Sequence, residues 1–535
     1  MSKKTSVLIS MVIVGVVGLI LNYIMLPAWN LHSVTTWGFA GILLVIFVLC
    51  ISGCAEISYN GDFEATVAFV TMVIGVAIAV IAMLIGSVFF SSRRYADIIS
   101  YEEANFANDM EPVTSVSNIA LMDTESAKMF GERTLGELSD IVSQYDLDTD
   151  YTQINLDGKP MKVSALEYDS FWKWNKNKDK GIPGYVLVDP VNNSAEYVKL
   201  DDYMKYSPSA YFHNDLKRTL RRQYPSLIFG ETYFEIDEEK NPYWVVSVVE
   251  PTIGVFYGKV IKGAVILDPV TGKSDFYSVE EIPEWVDVVF DGDYICKLFN
   301  WNGLYKNGFW NSLLSKTGCK RCTNDYGYVT IDNDIWIYTG VTSASEDASN
   351  IGVILANERT GEIKYYNVSG ADEASAMAAA EGEVQQYGYE ASFPSIINVN
   401  GEPTYIMVLT DSNHIVKSYA MVNVANYSKV VVSNSQQEVF ANYAKLMGFE
   451  LEKEVVEEES VDTAELLDVT FVVANIEFIV NDGNTTVYIY ANDDRVFKSK
   501  FDEFWILAKP GETINAKYSE NVKNDAIIAL KAFEK

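Results

Sequence analysis

The sequence is poor in the residues that carry most enzyme chemistry. It has three His and five Cys in 535 residues. A structural zinc site needs four Cys or His ligands, and a hydrolytic triad needs a His beside a nucleophile. The one CxxC pair, Cys319 and Cys322, has no second pair to complete a zinc site, and His213 and His414 fall in a predicted helix and a predicted turn. The P-loop, G-x-S-x-G and H-E-x-x-H patterns are missing. We therefore predict no catalytic residue, no cofactor and no metal ligand.

Positive charge is also scarce. The chain carries 41 Lys and Arg against 73 Asp and Glu, a formal net charge of −32 at pH 7. Nucleic-acid binding depends on neutralising phosphates with Lys and Arg, so this balance argues against a nucleic-acid partner. It argues equally against a protein that lies flat on an anionic membrane. A solvated, repulsive surface explains the charge.

Three apolar runs near the N-terminus contain no Asp, Glu, Lys or Arg: Ser6–Trp29, Thr36–Ala55 and Ala65–Phe90. Each has about 20 or more residues, enough to cross a bilayer core, and the first is too long for a signal peptide. We predict a three-helix transmembrane anchor over residues 1–95. Because ionisable residues inside a membrane mark transport paths, their absence favours anchoring over transport. Ile51–Cys54 resembles a lipoprotein cleavage box, but it ends the second run, so we attribute it to chance.

The orientation in the membrane is nearly balanced by charge. Lys3 and Lys4 precede the first run, and Arg93 and Arg94 follow the third. The α-amine adds one positive charge to the N-terminal side, which by the positive-inside rule favours an internal N-terminus. We expect a cell-membrane protein whose soluble part is extracytoplasmic.

The soluble part repeats a pattern of an apolar strand, a turn and a strand rich in aromatics. The copies read GYVLVDPVNNSAEYV at 184–198, AVILDPVTGKSDFY at 264–277 and GVILANERTGEIKYY at 352–366. A second repeated pattern is a hairpin with an Asp or Asn turn, which reads LDGKPM at 156–161, IDEEKNPYW at 236–244, IDNDIW at 331–336 and VNGEPTY at 399–405. Apolar and aromatic residues flanking such turns are typical of half-buried antiparallel hairpins. Asp268 and Lys273 are then turn residues rather than ligands.

Helix-favouring segments precede these hairpins at 123–145, 207–224, 295–314 and 371–386. The order predicts an α+β fold in which one helix packs across a small antiparallel sheet, repeated four times. We place the four modules at 96–200, 201–282, 283–367 and 368–448.

The order of helix, strands and an Asp-x-x-Thr-Gly turn resembles the PepSY domain, most clearly over Leu216–Ile282 and Ala371–Val432. The resemblance implies small α+β modules that bind or inhibit and have no catalytic residues. The first copy departs from it, with Asn192-Asn193 in place of Thr-Gly, and the third has a long aromatic insert. Over its whole length the chain also resembles an uncharacterised family of membrane proteins from Gram-positive bacteria.

The C-terminal part differs in composition from the modules. Residues 449–465 are acidic and predict a solvated linker or an extended helix. Residues 466–535 alternate as five short strands, which predicts a small β-barrel of the OB or SH3-like kind. Because acidic residues outnumber basic ones there, a structural or protein-binding barrel is favoured over one that binds single strands.

Two groups of residues remain candidates for a special role. Cys319 and Cys322 would form a small disulfide if the modules are outside the cell and would be free thiols if the modules are inside, with redox or metal chemistry as the alternative. The aromatic insert contributes Trp301, Tyr305, Phe309 and Trp310 as partner-binding residues, with a core helix as the alternative.

Together these features predict a membrane-anchored, non-enzymatic binding or scaffold protein. Its four PepSY-like modules would face a protein or cell-envelope partner, and it could form a homo-oligomer. The alternatives are a cell-envelope enzyme or protease regulator that uses the CxxC or a cleft between modules, and a structural subunit of a membrane complex.

Overall fold

The structure is a computed structural model, and it describes residues 3–56, 62–116, 119–345, 349–412, 414–449, 467–481, 484–493, 495–500, 504–505, 508–518 and 527–534. The chain divides into two compact units, Met1–Met447 and Gly448–Lys535. The predicted acidic linker lies outside the described residues, apart from Phe449.

The helices, in chain order, are α1 Lys3–Met25, α2 Val34–Glu56, α3 Asp62–Gly86, α4 Val88–Ala96, α5 Phe106–Asp109, α6 Thr124–Gly136, α7 Ser139–Val142, α8 Phe171–Asn177, α9 Leu216–Gln223, α10 Gly292–Tyr305, α11 Glu373–Glu383 and α12 Gln436–Met447.

The strands of the first unit are β1 Glu102–Ala104, β2 Tyr145–Leu147, β3 Thr152–Leu156, β4 Lys159–Tyr168, β5 Ile182–Asp189, β6 Ser194–Met204, β7 Phe229–Ile236, β8 Pro242–Ile253, β9 Tyr257–Leu267, β10 Ser274–Ser278, β11 Lys320–Cys322, β12 Gly327–Ile331, β13 Asp334–Ser343, β14 Ser349–Asn357, β15 Ile363–Tyr366, β16 Gly370–Ala371, β17 Glu390–Ala391, β18 Ser395–Val399, β19 Glu402–Thr410, β20 Val416–Asn423 and β21 Val430–Ser433. Those of the second unit are β22 Leu467–Asn481, β23 Asn484–Ala491, β24 Val496–Lys500, β25 Thr513–Tyr518 and β26 Ile527–Glu534.

The three N-terminal helices are apolar. Among the described residues, two segments are long and apolar enough to cross a membrane, Leu8–Met25 in α1 and Phe69–Gly86 in α3, and α2 contributes a shorter apolar stretch, Val34–Cys50. Only 6% of each of the two longer segments is buried inside the protein. A core helix would be mostly buried, so these helices present apolar surface that the protein itself does not cover.

The α1–α2 loop and the end of α3 both rest on the tip of the β8–β9 hairpin. The His32 Nδ1 atom lies 2.9 Å from the Val255 carbonyl oxygen, and the Trp37 ring packs edge-on against Phe256 at 6.5 Å. Gly86 fits closely against the Tyr257 ring, with no room for a side chain. The two helix connections are therefore on the same side as the soluble sheets.

Four sheets follow one another along the first unit. The first contains β2 to β6, the second has the order β10-β9-β8-β7, the third is built on β1-β15-β14-β13-β11, and the fourth is built on β17-β19-β20-β21. Within them every pairing is antiparallel except β1 with β15. β1 lies in the range predicted for the first module, yet it pairs in the third sheet. β16, in the range predicted for the fourth module, also pairs in the third sheet, with β14. The module boundaries remain predictions.

The repeated turns have the same local structure. The Asp268 carboxylate accepts the N–H groups of Val270 and Thr271, and the Asp268 carbonyl accepts that of Gly272. Asn357 makes the same contacts with Arg359, Thr360 and Gly361. Gly272 and Gly361 have φ of 73° and 76°, a conformation that glycine adopts without strain. The prediction that Asp268 is a turn residue is confirmed.

The second and third sheets are buried on both faces. Along β8, Trp244, Val246 and Val248 join a core shared with the first sheet, whereas Val245 and Val249 join a core shared with the third. β13 and β14 likewise divide their side chains between the cores shared with the second and the fourth sheets. This alternation follows from the two-residue period of a strand. The modules are therefore stacked layers with common cores.

Of the four helices predicted in the modules, α6, α9 and α11 lie within the expected segments, and α10 begins three residues before its expected start. α6, α10 and α11 begin after the N-cap residues Asp123, Asp291 and Asp372, whose carboxylates accept amide N–H groups of the first turn. The helix predicted over 207–224 is shorter, because α9 begins only after the N-cap Asp215. The second half of the CxxC pair lies in a strand, since Lys320–Cys322 forms β11, which pairs with β13.

The second unit is a closed barrel in the order β22-β23-β24-β26-β25. Its interior contains the stacked rings of Phe471 and Phe497, whose centroids are 4.1 Å apart. The buried Trp505 indole N–H donates to the Ser499 hydroxyl oxygen at 3.1 Å. The predicted five-stranded barrel is confirmed at this level.

Candidate functional site

A cleft of about 1010 Å³ opens between the first, third and fourth sheets. Its walls are β12 with the adjoining turn, β18, the β3–β4 hairpin, and the segments 108–113 and 119–125 that connect the anchor region to α6. We call it the inter-sheet cleft. A cavity of this volume at a junction of layers is the ordinary setting of a binding site.

The segment 108–113 is attached to the fourth sheet through Asn398 of β18. The Asn398 side-chain amide donates to the Met110 carbonyl oxygen at 2.6 Å, and the Val113 N–H donates to the Asn398 carbonyl oxygen at 2.8 Å. The Asn398 Oδ1 atom also accepts the Gly401 N–H at 2.7 Å. Because Asn398 is 1% exposed, these bonds are shielded from water, and they position one wall of the cleft.

One edge of β12 faces the cleft without a partner strand. Among the described residues β12 pairs with β13 alone, in a hairpin closed by Ile331 and Asp334 around a two-residue turn. In such a hairpin the closing pair and every second pair after it are hydrogen-bonded, so Thr330 and Tyr328 occupy the non-bonded positions. Their backbone N–H and C=O groups point away from β13. The cleft therefore offers two main-chain donors and two acceptors at the spacing of an added strand.

Lys162 of β4 lies at the bottom of the cleft and is 3% exposed. The Nζ atom is 5.3 Å from the centre of the Tyr328 ring, and no described residue forms an ion pair with it. Burial lowers the pKa of Lys162 to about 8, an effect that Asp123 and Glu358 partly oppose. A buried lysine whose pKa is lowered in a cleft is a common feature of functional sites.

Glu358 lies close enough to Lys162 to influence its protonation. It is 2% exposed, and its Oε2 atom has no hydrogen-bond partner among the described residues. Burial, and then Asp291, raise the pKa of Glu358 well above its usual range, whereas Lys162 acts in the opposite direction. Lys162 and Glu358 therefore share a buried environment that stabilises neither charge fully.

A second buried carboxyl group joins the sheets behind the cleft. Glu235 of β7 accepts the N–H of Asp287 at 2.7 Å and that of Val288 at 3.0 Å. The Asp287 carboxylate accepts the N–H of Asn155 in β3 at 2.7 Å, and the Asn155 side-chain amide donates to the Asn333 carbonyl oxygen at 2.7 Å. These bonds link the first, second and third sheets, so this group supports the cleft.

The described lining of the cleft is strongly acidic. Its charged members are one lysine and six carboxylic residues: Asp109, Glu111, Asp123, Glu125, Asp325 and Asp332. Such a lining attracts cationic groups and disfavours anions at the entrance. Among the residues the structure describes, no group of three or more His, Cys, Asp or Glu is placed to hold a metal ion.

The aromatic residues proposed to bind a partner lie outside the cleft, against α4. The Trp301 ring contacts Tyr95 at 4.7 Å, and the Phe309 and Trp310 rings contact Phe89 at 5.2 and 5.7 Å. Tyr305, at the end of α10, is half-buried. Part of this insert is therefore the core helix of the alternative interpretation, whereas Trp310 is 60% exposed.

Cys319 and Cys322 are buried free thiols in the structure. The Cys319 thiol donates to the Leu304 carbonyl oxygen at 3.4 Å and the Cys322 thiol to that of Cys296 at 4.0 Å. The predicted disulfide is therefore not formed here. Burial raises the pKa of both thiols, which is the opposite of what a redox-active CxxC requires.

The sequence patterns did not lead us to predict the residues that converge at the cleft. Lys162 and Glu235 each stand in a strand among apolar neighbours, in PMKVSAL and YFEI, and a charged residue flanked in this way is a signal of a buried charge. Such a signal identifies the residue but not its neighbours, because the groups that meet here lie up to 288 positions apart.

No protein-family model and no curated protein matches the chain. Among solved structures, a mutant of levansucrase from B. megaterium is similar over 79% of this chain and 97% of its own, with 9% identity and a TM-score of 0.17. A TM-score this low supports no argument about fold or function.

Proposed function

We propose that the chain is a membrane-anchored, non-enzymatic binding protein, and that its inter-sheet cleft binds an extended, basic peptide segment of a partner protein. The observation that carries the proposal is the unpartnered edge of β12 inside an acidic cleft. An extended peptide would form main-chain hydrogen bonds with Thr330 and Tyr328, as in other cases of strand addition. Its basic side chains would meet the carboxylates of the lining.

The anchor and the modules support the same proposal. The uncovered apolar surfaces of α1 and α3, with α2 between them, favour a three-helix transmembrane anchor. The repeated helix, sheet and Asx turn favour PepSY-like modules, and the strand order of the barrel, with β24 parallel to β26, favours an OB-like domain. We place the modules outside the cell membrane. Labelling of intact cells with a membrane-impermeant reagent tests on which side of the membrane the modules lie.

The binding proposal is tested at Thr330. The Thr330→Pro substitution removes one outward N–H without breaking the β12–β13 ladder, because that N–H is not part of it. Thr330→Val keeps the N–H and is the matched control. Binding of arrays of lysine- and arginine-rich peptides to the full-length protein in nanodiscs should fall at least tenfold in the proline variant and little in the valine variant. Equal binding by both variants would refute strand addition.

A second candidate, a cell-envelope enzyme or protease regulator, is favoured by one observation. Lys162 is a buried amine with a pKa lowered to about 8 at the bottom of a cleft, as nucleophilic lysines are. Rapid, selective acylation of Lys162 by an amine-reactive ester at pH 8, with Lys159 as the exposed control, would support this candidate. Failure of Lys162 to react while Lys159 does would favour binding alone.

A further inference from the structure

An exposed apolar patch lies beside the end of α3. It consists of Phe89 and Phe90 in α4 and of Trp310, Leu313 and Leu314 after α10, and we call it the interface patch. The five side chains are between 45% and 74% exposed. Soluble proteins rarely leave such clusters uncovered, so the patch indicates contact with a partner or a membrane.

The patch is held together by aromatic contacts between two elements. The Phe89 ring packs edge-on against Phe90 at 4.8 Å, Phe309 at 5.2 Å and Trp310 at 5.7 Å. The Leu313 and Leu314 side chains follow in a short π-helical turn, Asn311–Ser315. α4 and the segment that follows α10 thus present a single apolar surface rather than isolated exposed residues.

The position of the patch is set by α3. The candidate span Phe69–Gly86 ends three residues before Phe89, and a kink at Ser91 follows. Ser87, between the two helices, is extended, and Phe89 and Phe90 lie in the first turn of α4. The Tyr95 hydroxyl donates to the Gly86 carbonyl oxygen at 2.9 Å, which keeps α4 close to that end. The patch is therefore at the level of a lipid headgroup region.

The charges around the patch fit a lipid surface. Although the chain has a net charge of −32, the segments 87–96 and 305–316 contain no Asp or Glu. They contain Arg93 and Arg94, about one turn from Phe89 and Phe90, and Lys306 and Lys316, which precede and follow Phe309 and Trp310. Apolar residues with flanking basic side chains are typical of segments that lie in a membrane interface.

The connection between α1 and α2 marks the same level independently. Trp29 and Leu31 in this loop and Trp37 in the first turn of α2 are 47% to 73% exposed, and this region contacts the β8–β9 hairpin tip that also contacts Gly86. Tryptophan residues are enriched at membrane–water interfaces because their rings are amphipathic. Two separate elements thus place aromatic side chains beside the ends of the candidate spans.

We propose that the interface patch inserts into the outer edge of the bilayer and forms a second membrane contact that fixes the sheets against the membrane. This inference rests on the membrane anchor of the proposed function but not on peptide binding. Once seated, the patch would hold the soluble layers at a constant angle to the lipid, because α10 belongs to the core shared by the second and third sheets.

Single cysteine labels test the contact in the full-length protein. An environment-sensitive fluorophore is attached at Leu314→Cys, at Tyr387→Cys and at Ile78→Cys, in a background in which the native cysteines are alanine, and each protein is placed in nanodiscs. Tyr387 is 64% exposed in the turn between α11 and β17 and is the matched aqueous control, whereas Ile78 lies within the candidate span and reports on the anchor.

We expect the label at 314 to emit at shorter wavelength than that at 387, and to be quenched at least twofold more by lipids spin-labelled near the headgroup. Emission at 314 equal to that at 387, with the label at 78 quenched by deep spin labels, would overturn the proposal and leave the anchor intact. A blue-shifted but unquenched label at 314 would mean that protein covers the patch, which also overturns it. If deep spin labels do not quench the label at position 78, the membrane anchor and the proposal are both refuted.

Discussion

Glu235 accepts the backbone N–H of Asp287 through its Oε2 atom at 2.7 Å, 52 positions along the chain. Asp287 in turn contacts the first sheet, because its carboxylate accepts the N–H of Asn155. Glu235 is fully buried, and Asp287 is 3% exposed. The stacking of the sheets therefore depends on a carboxyl group that is isolated from water.

Because of Glu235, the free energy of unfolding should fall as the pH rises. Burial raises the pKa of Glu235 from 4.5 to about 8, although the two amides it accepts act in the opposite direction. Between these values the unfolded chain binds fewer protons than the folded one, so the free energy of unfolding falls from about pH 4.5 to about pH 8, by at most roughly 1.4 kcal/mol per pH unit. Thermal unfolding of the full-length protein in detergent, from pH 5 to 8.5, measures this slope.

The Glu235→Gln variant should have a flatter pH profile than the parent, whatever its absolute stability. Glu231 lies on the same strand and is exposed, so Glu231→Gln is the matched control and should keep the parent's slope. If Glu235→Gln unfolds with the same pH dependence as the parent, Glu235 does not titrate in this range.

Lys162 should lower the stability of the protein at neutral pH. Burial lowers the pKa of Lys162 from 10.5 to about 8, which corresponds to roughly 3 kcal/mol when the lysine is charged in both states. Between about pH 8 and 10.5 the unfolded chain binds a proton at Lys162 that the folded chain does not. The destabilisation by Lys162 is therefore complete below pH 8 and disappears as the pH rises to about 10.5. Lys162→Met should therefore raise the thermal midpoint at pH 7.

The stabilisation by Lys162→Met should shrink when the measurement is repeated near pH 10. Lys159→Met, at the exposed end of the same strand, should change the midpoint little at either pH. A Lys162→Met protein that is less stable than the parent at pH 7 would show that Lys162 and Glu358 act as a stabilising pair.

Asn398 should hold the segment 108–113 against the fourth sheet. The Asn398→Ala substitution removes the buried bonds to the Met110 carbonyl and the Gly401 N–H, and leaving such groups unpaired costs about 1–3 kcal/mol each. We expect limited proteolysis of the variant to cut between residues 108 and 123 several-fold faster than in the parent. The exposed Asn175→Ala variant is the control, and an equal cleavage rate in all three proteins would contradict this role.

Cys319 and Cys322 should behave as protected thiols. Burial raises the pKa of both thiols, so iodoacetamide should modify them slowly in the folded protein at pH 8 and rapidly after denaturation. Mass spectrometry of the unreduced, denatured chain should show both residues alkylated. An unmodified pair that gains label only after reduction would establish the disulfide instead.

Much of the local structure could be predicted from the sequence. The turns at Asp268 and Asn357, the Asp and Asn hairpins, and the helix start after Asp123 each depend on groups within a few positions of one another. Capping, Asx turns and left-handed glycines are short-range physics, so a short stretch of residues is enough to specify them. The apolar runs at the N-terminus are predictable for the same reason, since a span needs only length and composition.

Only the tertiary structure decided how the layers meet. In β8, Val245 and Val246 are both buried, but the period of the strand does not say which neighbouring sheet each one contacts. The strand period also does not predict that Lys162 lies near Glu358 or that Asn155 contacts Asp287, because those residues are more than a hundred positions apart in the chain. The sequence by itself determined the strands, turns and apolar helices. The stacking of the sheets created the cleft, since burial and charge at a site are properties of everything packed around it.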